Sequence, residues 1–234
     1  MPLDHGLRRA SAVVSHFPRI SRFLPHTVAS HLTALPPPFL PHDPTVHQKL
    51  VGGSVGELLD ASSVRALIFD KDNTFTAAKA PSVHQSCVLT LADLSSRFKS
   101  LVVSNSAGSA TDQRDGYRQA AALEDETQIE VLRHATYKPM ADILPPIQSW
   151  MTKQGLRPDE VCFIGDNVFT DILTANLLRC WSILLIGDVT TNPAQSPART
   201  ILQWTFSRKT FQADLVMSAD MLGIRPQRPG LIDR

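Results

Sequence analysis

The sequence predicts an α/β fold in which a central parallel sheet is flanked by helices, and three observations carry that reading. Short, almost wholly apolar runs recur along the chain, among them Ala66-Leu67-Ile68-Phe69, Val161-Cys162-Phe163-Ile164 and Trp181 to Ile186. Such runs are too brief for helices and match strands buried on both faces. Amphipathic stretches of helical length separate them, which is the alternation of βαβ units. Polar clusters follow the runs directly, at the edge where open α/β sheets bind ligands.

Composition bounds the rest. With 234 residues, 43% of them hydrophobic, the chain can bury one sizeable core. A formal charge of +1 does not suggest a general nucleic-acid binder. Cys87, Cys162 and Cys180 lie far apart with no CxxC spacing, so neither a disulfide framework nor a zinc site is expected and a reducing compartment fits. The longest apolar stretch, Trp181 to Ile186, is far short of the ~20 residues that span a bilayer, and no transmembrane helix is expected.

In chain order, residues 1–26 carry Arg8, Arg9, Arg19 and Arg22 against Asp4, with Val13, Phe17, Ile20 and Leu24 at helical spacing. This basic, acid-poor start reads as a transit peptide, a membrane-surface helix or a disordered tail. Pro36-Pro37-Pro38 and the prolines at 41 and 44 mark an extended linker. The expected division is therefore a leading segment over 1–48, a catalytic domain over 49–212 and a tail over 213–234.

Within the domain the first strand is expected over Val64 to Phe69, and a helix over Val83 to Phe98 burying Val88, Leu91, Ala92 and Leu94 or Ser95. Ser100 to Val103 gives the second strand, Asp112 to Leu123 a helix, and Glu130 to Leu132 a short third strand. Met140 to Gln154 is helical, broken or kinked at Pro145-Pro146. Glu160 to Ile164 is the fourth strand, a helix runs to Leu178, and Trp181 to Ile186 is the fifth strand.

Four polar clusters sit past these strands: Asp70/Asp72, Ser104/Asn105, Lys138 and Asp166/Asp171. In an extended strand residues i and i+2 share a side, so Asp70 and Asp72 are expected to address one site while Lys71 points away in a structural role. Together the clusters supply what phosphoryl transfer needs, since its transition state spreads negative charge over equatorial oxygens. Asp70 is the candidate nucleophile and Asp72 the candidate acid and base. Ser104 is expected to hold phosphoryl oxygens, with Lys138 neutralising them. A hard cation, Mg²⁺, is expected on the carboxylates of this site, Asp70, Asp72, Asp166 and Asp171. Each cluster alone is an ordinary turn or a solvated charge; their order and spacing make the signal.

Those segments resemble the haloacid dehalogenase (HAD) superfamily of aspartate-nucleophile phosphatases. Within it, Asp70-Lys71-Asp72-Asn73, Ser104-Asn105-Ser106-Ala107-Gly108, Val131-Leu132-Arg133-His134 with Lys138-Pro139, and Phe169-Thr170-Asp171-Ile172 resemble the mitochondrial phosphatidylglycerophosphate phosphatases. The resemblance implies a Rossmann-like HAD fold. It also implies hydrolysis of phosphatidylglycerophosphate to phosphatidylglycerol, a step toward cardiolipin, on the matrix side of the mitochondrial inner membrane. A plastid address stays open. Tyr137 and Asn167 stand where that family commonly carries Lys and Arg.

Only about 30 residues separate Asp70 from Ser104, Ser104 from Lys138 and Lys138 from Asp166, and each gap is filled by one helix and one strand. No lid domain fits, so a capless, open site is expected, suited to a phosphate presented on a membrane or a protein. Peripheral membrane contact could come from the basic start or from Ala198 to Phe211, whose alternative role is covering the sheet. Asn105, Arg133 and His134 are the candidate substrate-binding residues, Arg133 and His134 with a simple ion pair as the competing role. A phosphoprotein or a soluble phosphate ester is the alternative substrate, and a silent membrane scaffold the alternative class.

Overall fold

A computed structural model describes residues 27–29, 64–185 and 189. Six strands form one sheet: β1 (Thr27–Ala29), β2 (Ala66–Phe69), β3 (Lys99–Val102), β4 (Glu130–Val131), β5 (Val161–Gly165) and β6 (Trp181–Leu185). Their order is β1-β6-β5-β2-β3-β4, and every pairing is parallel. The helices are α1 (Val88–Arg97), α2 (Ala110–Gln113), α3 (Arg118–Thr127), α4 (Leu144–Lys153) and α5 (Leu173–Leu177). Among the described residues, successive strands from β2 to β6 are joined by these helices, short helical turns and loops, with no inserted cap domain.

Alternation along the buried strands builds two cores. Leu67, Phe69, Val102, Cys162 and Ile164 pack in one cluster with Leu91, Leu94 and Phe98 of the α1 segment and with Ala120 and Leu123 of α3. Ala66, Ile68, Leu101, Val103 and Phe163 pack in a second with Ile147, Trp150 and Met151 of α4 and Ala175 of α5. Leu67, Ile68, Phe69 and Phe163 are all 0% exposed, and burying each such side chain stabilises the fold by about 1.5–3 kcal/mol.

Register brings the site together. Phe69 lies opposite both Val102 and Ile164, so β2, β3 and β5 end level. The ladder runs one residue further, with the Asp70 amide donating to the Ile164 carbonyl at 2.8 Å and the Val103 amide to the Phe69 carbonyl at 2.9 Å. Asp70, Ser104 and Asp166 therefore leave the sheet at one edge.

Strand positions match the sequence reading to within two residues. β1 does not: Thr27–Ala29 falls inside the leading segment expected to lie outside the domain, yet it pairs with β6, Val28 opposite Leu184. The rest of 1–48, the basic start and the proline linker included, lies outside the described residues, as do Ala198 to Phe211 and the tail from 213. In α1 the buried stripe is Cys87, Leu91, Leu94 and Phe98, spaced four, three and four, whereas Val88 is 47% exposed and Ala92 is exposed. The single helix expected over 112–123 is two helices, because Gly116 and Tyr117 adopt φ of +67° and +60° between them. Pro145 and Pro146 neither break nor kink α4: they occupy its first turn, where amide donors have no partner to lose. No helix among the described residues is long and apolar enough to cross a membrane.

Candidate active site

Lys138 is the hub of the site. It follows β4 and is fully buried, and its Nζ donates to Asp70 Oδ1 at 2.6 Å and to Asp171 Oδ1 at 2.7 Å. Asn105, from the loop after β3, fixes its backbone: the Lys138 amide donates to Asn105 Oδ1 at 2.7 Å and Asn105 Nδ2 donates to the Lys138 carbonyl at 3.3 Å. Asn105, expected on substrate, is thus engaged in placing the lysine.

The segment after β5 supplies two acids. Asp171 sits in a wide helical turn, Val168–Ile172, and its carboxylate accepts from the Asn167 amide at 3.0 Å and from Thr170 Oγ1 at 3.1 Å. Gly165 makes this possible, because a Cβ there would lie 2.6 Å from Asp171 Cβ. Asp166 accepts from Asn73 Nδ2 at 3.2 Å. Carboxylate oxygens of Asp70, Asp166 and Asp171 lie within 4.8 Å of one another.

Charge decides what this cluster can hold. Burial pushes the Asp70 carboxyl up to about 8, and repulsion from Asp171 and Asp166 adds to it while Lys138 works against it. Burial also opposes the charge on Lys138, but Asp171 and Asp70 outweigh it and raise that pKa. With Asp70 ionised, three carboxylates against one buried ammonium leave an excess of negative charge, and all the donors are hard oxygens. That donor set fits a divalent cation such as Mg²⁺.

Asp72 stands elsewhere. Its Oδ1 takes the Lys71 ammonium at 3.0 Å and the Lys79 amide at 2.7 Å, and its Oδ2 accepts from Ser106 Oγ at 2.6 Å. Burial acts to raise its pKa, but the Ser106 hydrogen bond and the Lys71 charge outweigh it and lower it. Asp72 therefore does not join the acids expected to bind metal beside Asp70. The strand ends at Phe69 and the amides of Thr74, Phe75 and Thr76 converge on the Lys71 carbonyl, so strand alternation no longer governs positions 71 and 72. For the same reason Lys71 does not point away: it is 1% exposed and pairs with Asp72.

Ser104 is buried, and its hydroxyl pairs with Ser106 Oγ at 2.9 Å and accepts from the Ser106 amide at 3.0 Å. Ser106, which sequence reasoning quoted only as part of a motif, is the hydroxyl that links Ser104 to Asp72. His134 is 5% exposed, with Nδ1 2.5 Å from the Thr136 carbonyl and Nε2 2.9 Å from the Ser104 carbonyl. Burial and the nearby Lys138 charge lower its pKa, against the two carbonyl contacts. Arg133 forms a two-pronged ion pair with Glu124 of α3, one contact at 2.7 Å, and also donates to the Val131 carbonyl at 2.7 Å. The Glu124 ion pair engages Arg133, and His134 ties two loops together.

A parallel sheet whose successive strand ends deliver an aspartate, a serine, a lysine and two further acids defines the HAD class of phosphatases. The class narrows further on comparison with known families. The model of the mitochondrial PGP (phosphatidylglycerophosphate) phosphatase family matches residues 7–190, and the chain belongs to that family. It is 36% identical over 130 residues to the mitochondrial phosphatidylglycerophosphatase GEP4 of Saccharomyces cerevisiae, covering 54% of this chain and 69% of that protein. It is 33% identical over 128 residues to the chloroplastic/mitochondrial phosphatidylglycerophosphate phosphatase 1 of Arabidopsis thaliana, covering 51% of this chain and 34% of that protein. Among solved structures, a predicted HAD-like family hydrolase from Porphyromonas gingivalis aligns with TM-score 0.37 and 14% identity over 60% of this chain and 98% of its own.

Proposed function

We propose that this chain hydrolyses phosphatidylglycerophosphate to phosphatidylglycerol, on the route to cardiolipin, through an aspartyl-phosphate on Asp70. The observation that carries the mechanism is the buried Lys138 ammonium bridging Asp70 and Asp171; family membership and the similarity to the phosphatidylglycerophosphatase GEP4 support the substrate.

Asp70 attacks phosphorus, forming the new O–P bond as the bond to the lipid glycerol oxygen breaks. Asp72, a carboxylate in the resting site, relays a proton from solvent to that departing oxygen and then takes one from the water that cleaves the acyl phosphate. Ser104 and Ser106 line this side with hydroxyls, and Lys138 restrains Asp70 while offsetting charge on the phosphoryl group. Asp70, Asp166 and Asp171 would hold Mg²⁺, which supplies charge neutralisation and favours the ionised form of Asp70.

The capless site suits a phosphate on a membrane surface, reached by peripheral contact without a spanning helix. The matrix face of the mitochondrial inner membrane is the proposed location, with a plastid membrane the alternative that the Arabidopsis relative's name supports. Phosphate release from vesicles containing phosphatidylglycerophosphate, with and without Mg²⁺, tests the reading. Turnover that requires Mg²⁺, exceeds that of glycerol 3-phosphate and vanishes in Asp70→Asn supports it. Faster turnover of a phosphoprotein or the soluble ester would transfer the assignment to the alternative substrates.

A further inference from the structure

Asn73 has two jobs in the structure. Its backbone turns the chain after β2 in a left-handed conformation, φ +59°, with its amide donating to the Thr76 carbonyl at 2.8 Å. Its side-chain amide crosses to the segment after β5 and donates to Asp166 Oδ2 at 3.2 Å, joining residues 93 apart in sequence. The first job asks only for a residue that tolerates positive φ, and glycine would serve as well. The second asks for a donor.

We infer that Asn73 is a positioning residue for Asp166, and through it a determinant of how tightly the site holds a divalent cation. The inference rests on the proposed metal reading of the Asp70, Asp166 and Asp171 cluster. Lys138 restrains Asp70 and Asp171 by charge, at 2.6 and 2.7 Å, and Asp166 is the one member of the cluster that it is not seen to contact. A second ammonium on Asp166 would order it but cancel the negative excess that attracts a cation. A neutral amide orders the carboxylate and leaves its charge intact. Partners of this kind outside the ligand set alter metal affinity by about 10 to 100-fold when removed.

The test is Mg²⁺ titration of the full chain by calorimetry without substrate, on wild type, Asn73→Gly and Asn73→Ala, with thermal unfolding of each metal-free protein as a folding control. Asn73→Gly keeps the turn and loses only the amide, so it should unfold at the wild-type temperature and bind Mg²⁺ about 10-fold more weakly. Asn73→Ala should be weakened at least as much and should unfold earlier, since alanine is strained at this φ. Wild-type Mg²⁺ affinity in Asn73→Gly would overturn the inference and leave the metal reading standing. Absence of Mg²⁺ binding in the wild type would overturn the metal reading, and the inference with it.

Discussion

Asp171 and Lys138 meet at 2.7 Å with side chains 1% and 0% exposed, so the lysine that contacts the candidate nucleophile is held from behind by an acid out of reach of solvent. A buried pair of this kind is costly to break from either side, because the survivor keeps its charge without a partner. Lys138→Met should therefore lower stability by about 3–5 kcal/mol. Urea unfolding at neutral pH measures this. Phosphate release should fall by about 100-fold or more even where the variant is folded, since the proposed donor to the phosphoryl oxygens is lost.

Asp70 is held in a form that favours folding least when it is ready to react. Its folded pKa, about 8, lies above the ordinary 3.8. Between those values the unfolded chain ionises while the folded chain keeps its proton, so stability falls as pH rises through this window and levels off above it. Asp70→Asn removes that loss. Without divalent cations, the variant should be more stable than wild type at pH 8 by at least about 1 kcal/mol, with the difference closing below about pH 4. Added Mg²⁺ should raise the unfolding temperature of wild type more than that of the variant. Greater wild-type stability at pH 8 in the absence of metal would contradict the burial argument.

Gly165 ends β5 without needing a left-handed backbone, and its demand is space. A methyl there would fall 2.6 Å from both Asp171 Cβ and Asp171 Cγ, and Asp171 is pinned by Lys138, Thr170 and the Asn167 amide. Gly165→Ala should cost about 1–3 kcal/mol and displace the acid. Calorimetric Mg²⁺ titration should show weakened binding and activity should fall with it. A variant with wild-type stability and metal affinity would show that Asp171 has room to move.

How far the sequence revealed this arrangement depends on what kind of information each part needed. β2 and β5 were legible because they are buried on both faces and read as apolar runs, and β6 because Ser182 alone interrupts its run. The meeting of Asp70, Lys138, Asp166 and Asp171 was legible because each lies in the segment that follows a strand. The orientation of Asp72 was not, since it depends on a turn closing on the Lys71 carbonyl and on Ser106, 34 residues away. β1 was hidden for a different reason: three residues in a basic, proline-flanked segment carry no periodicity, and only pairing with β6 makes them a strand. The division of the helix at Gly116 and Tyr117 needed two consecutive positive φ values, of which only the glycine is a local cue.

Arg133 separates a headgroup reader from a structural cation. Its guanidinium is committed to both carboxylate oxygens of Glu124, and the same carboxylate accepts from the Val131 amide at 2.8 Å, so the pair ties α3 to β4. Burial acts to raise the Glu124 pKa, but Arg133 and that amide outweigh it and lower it, as expected for a paired acid. The side chains are 35% and 30% exposed, so the pair should contribute less than about 1 kcal/mol. Arg133→Ala should leave the KM for phosphatidylglycerophosphate unchanged and lower stability slightly. A double-mutant cycle with Glu124→Ala checks the assignment by denaturant unfolding: the two losses should be less than additive, because either substitution already removes the shared contact. Additive losses, together with a several-fold rise in KM for Arg133→Ala alone, would instead return Arg133 to the substrate.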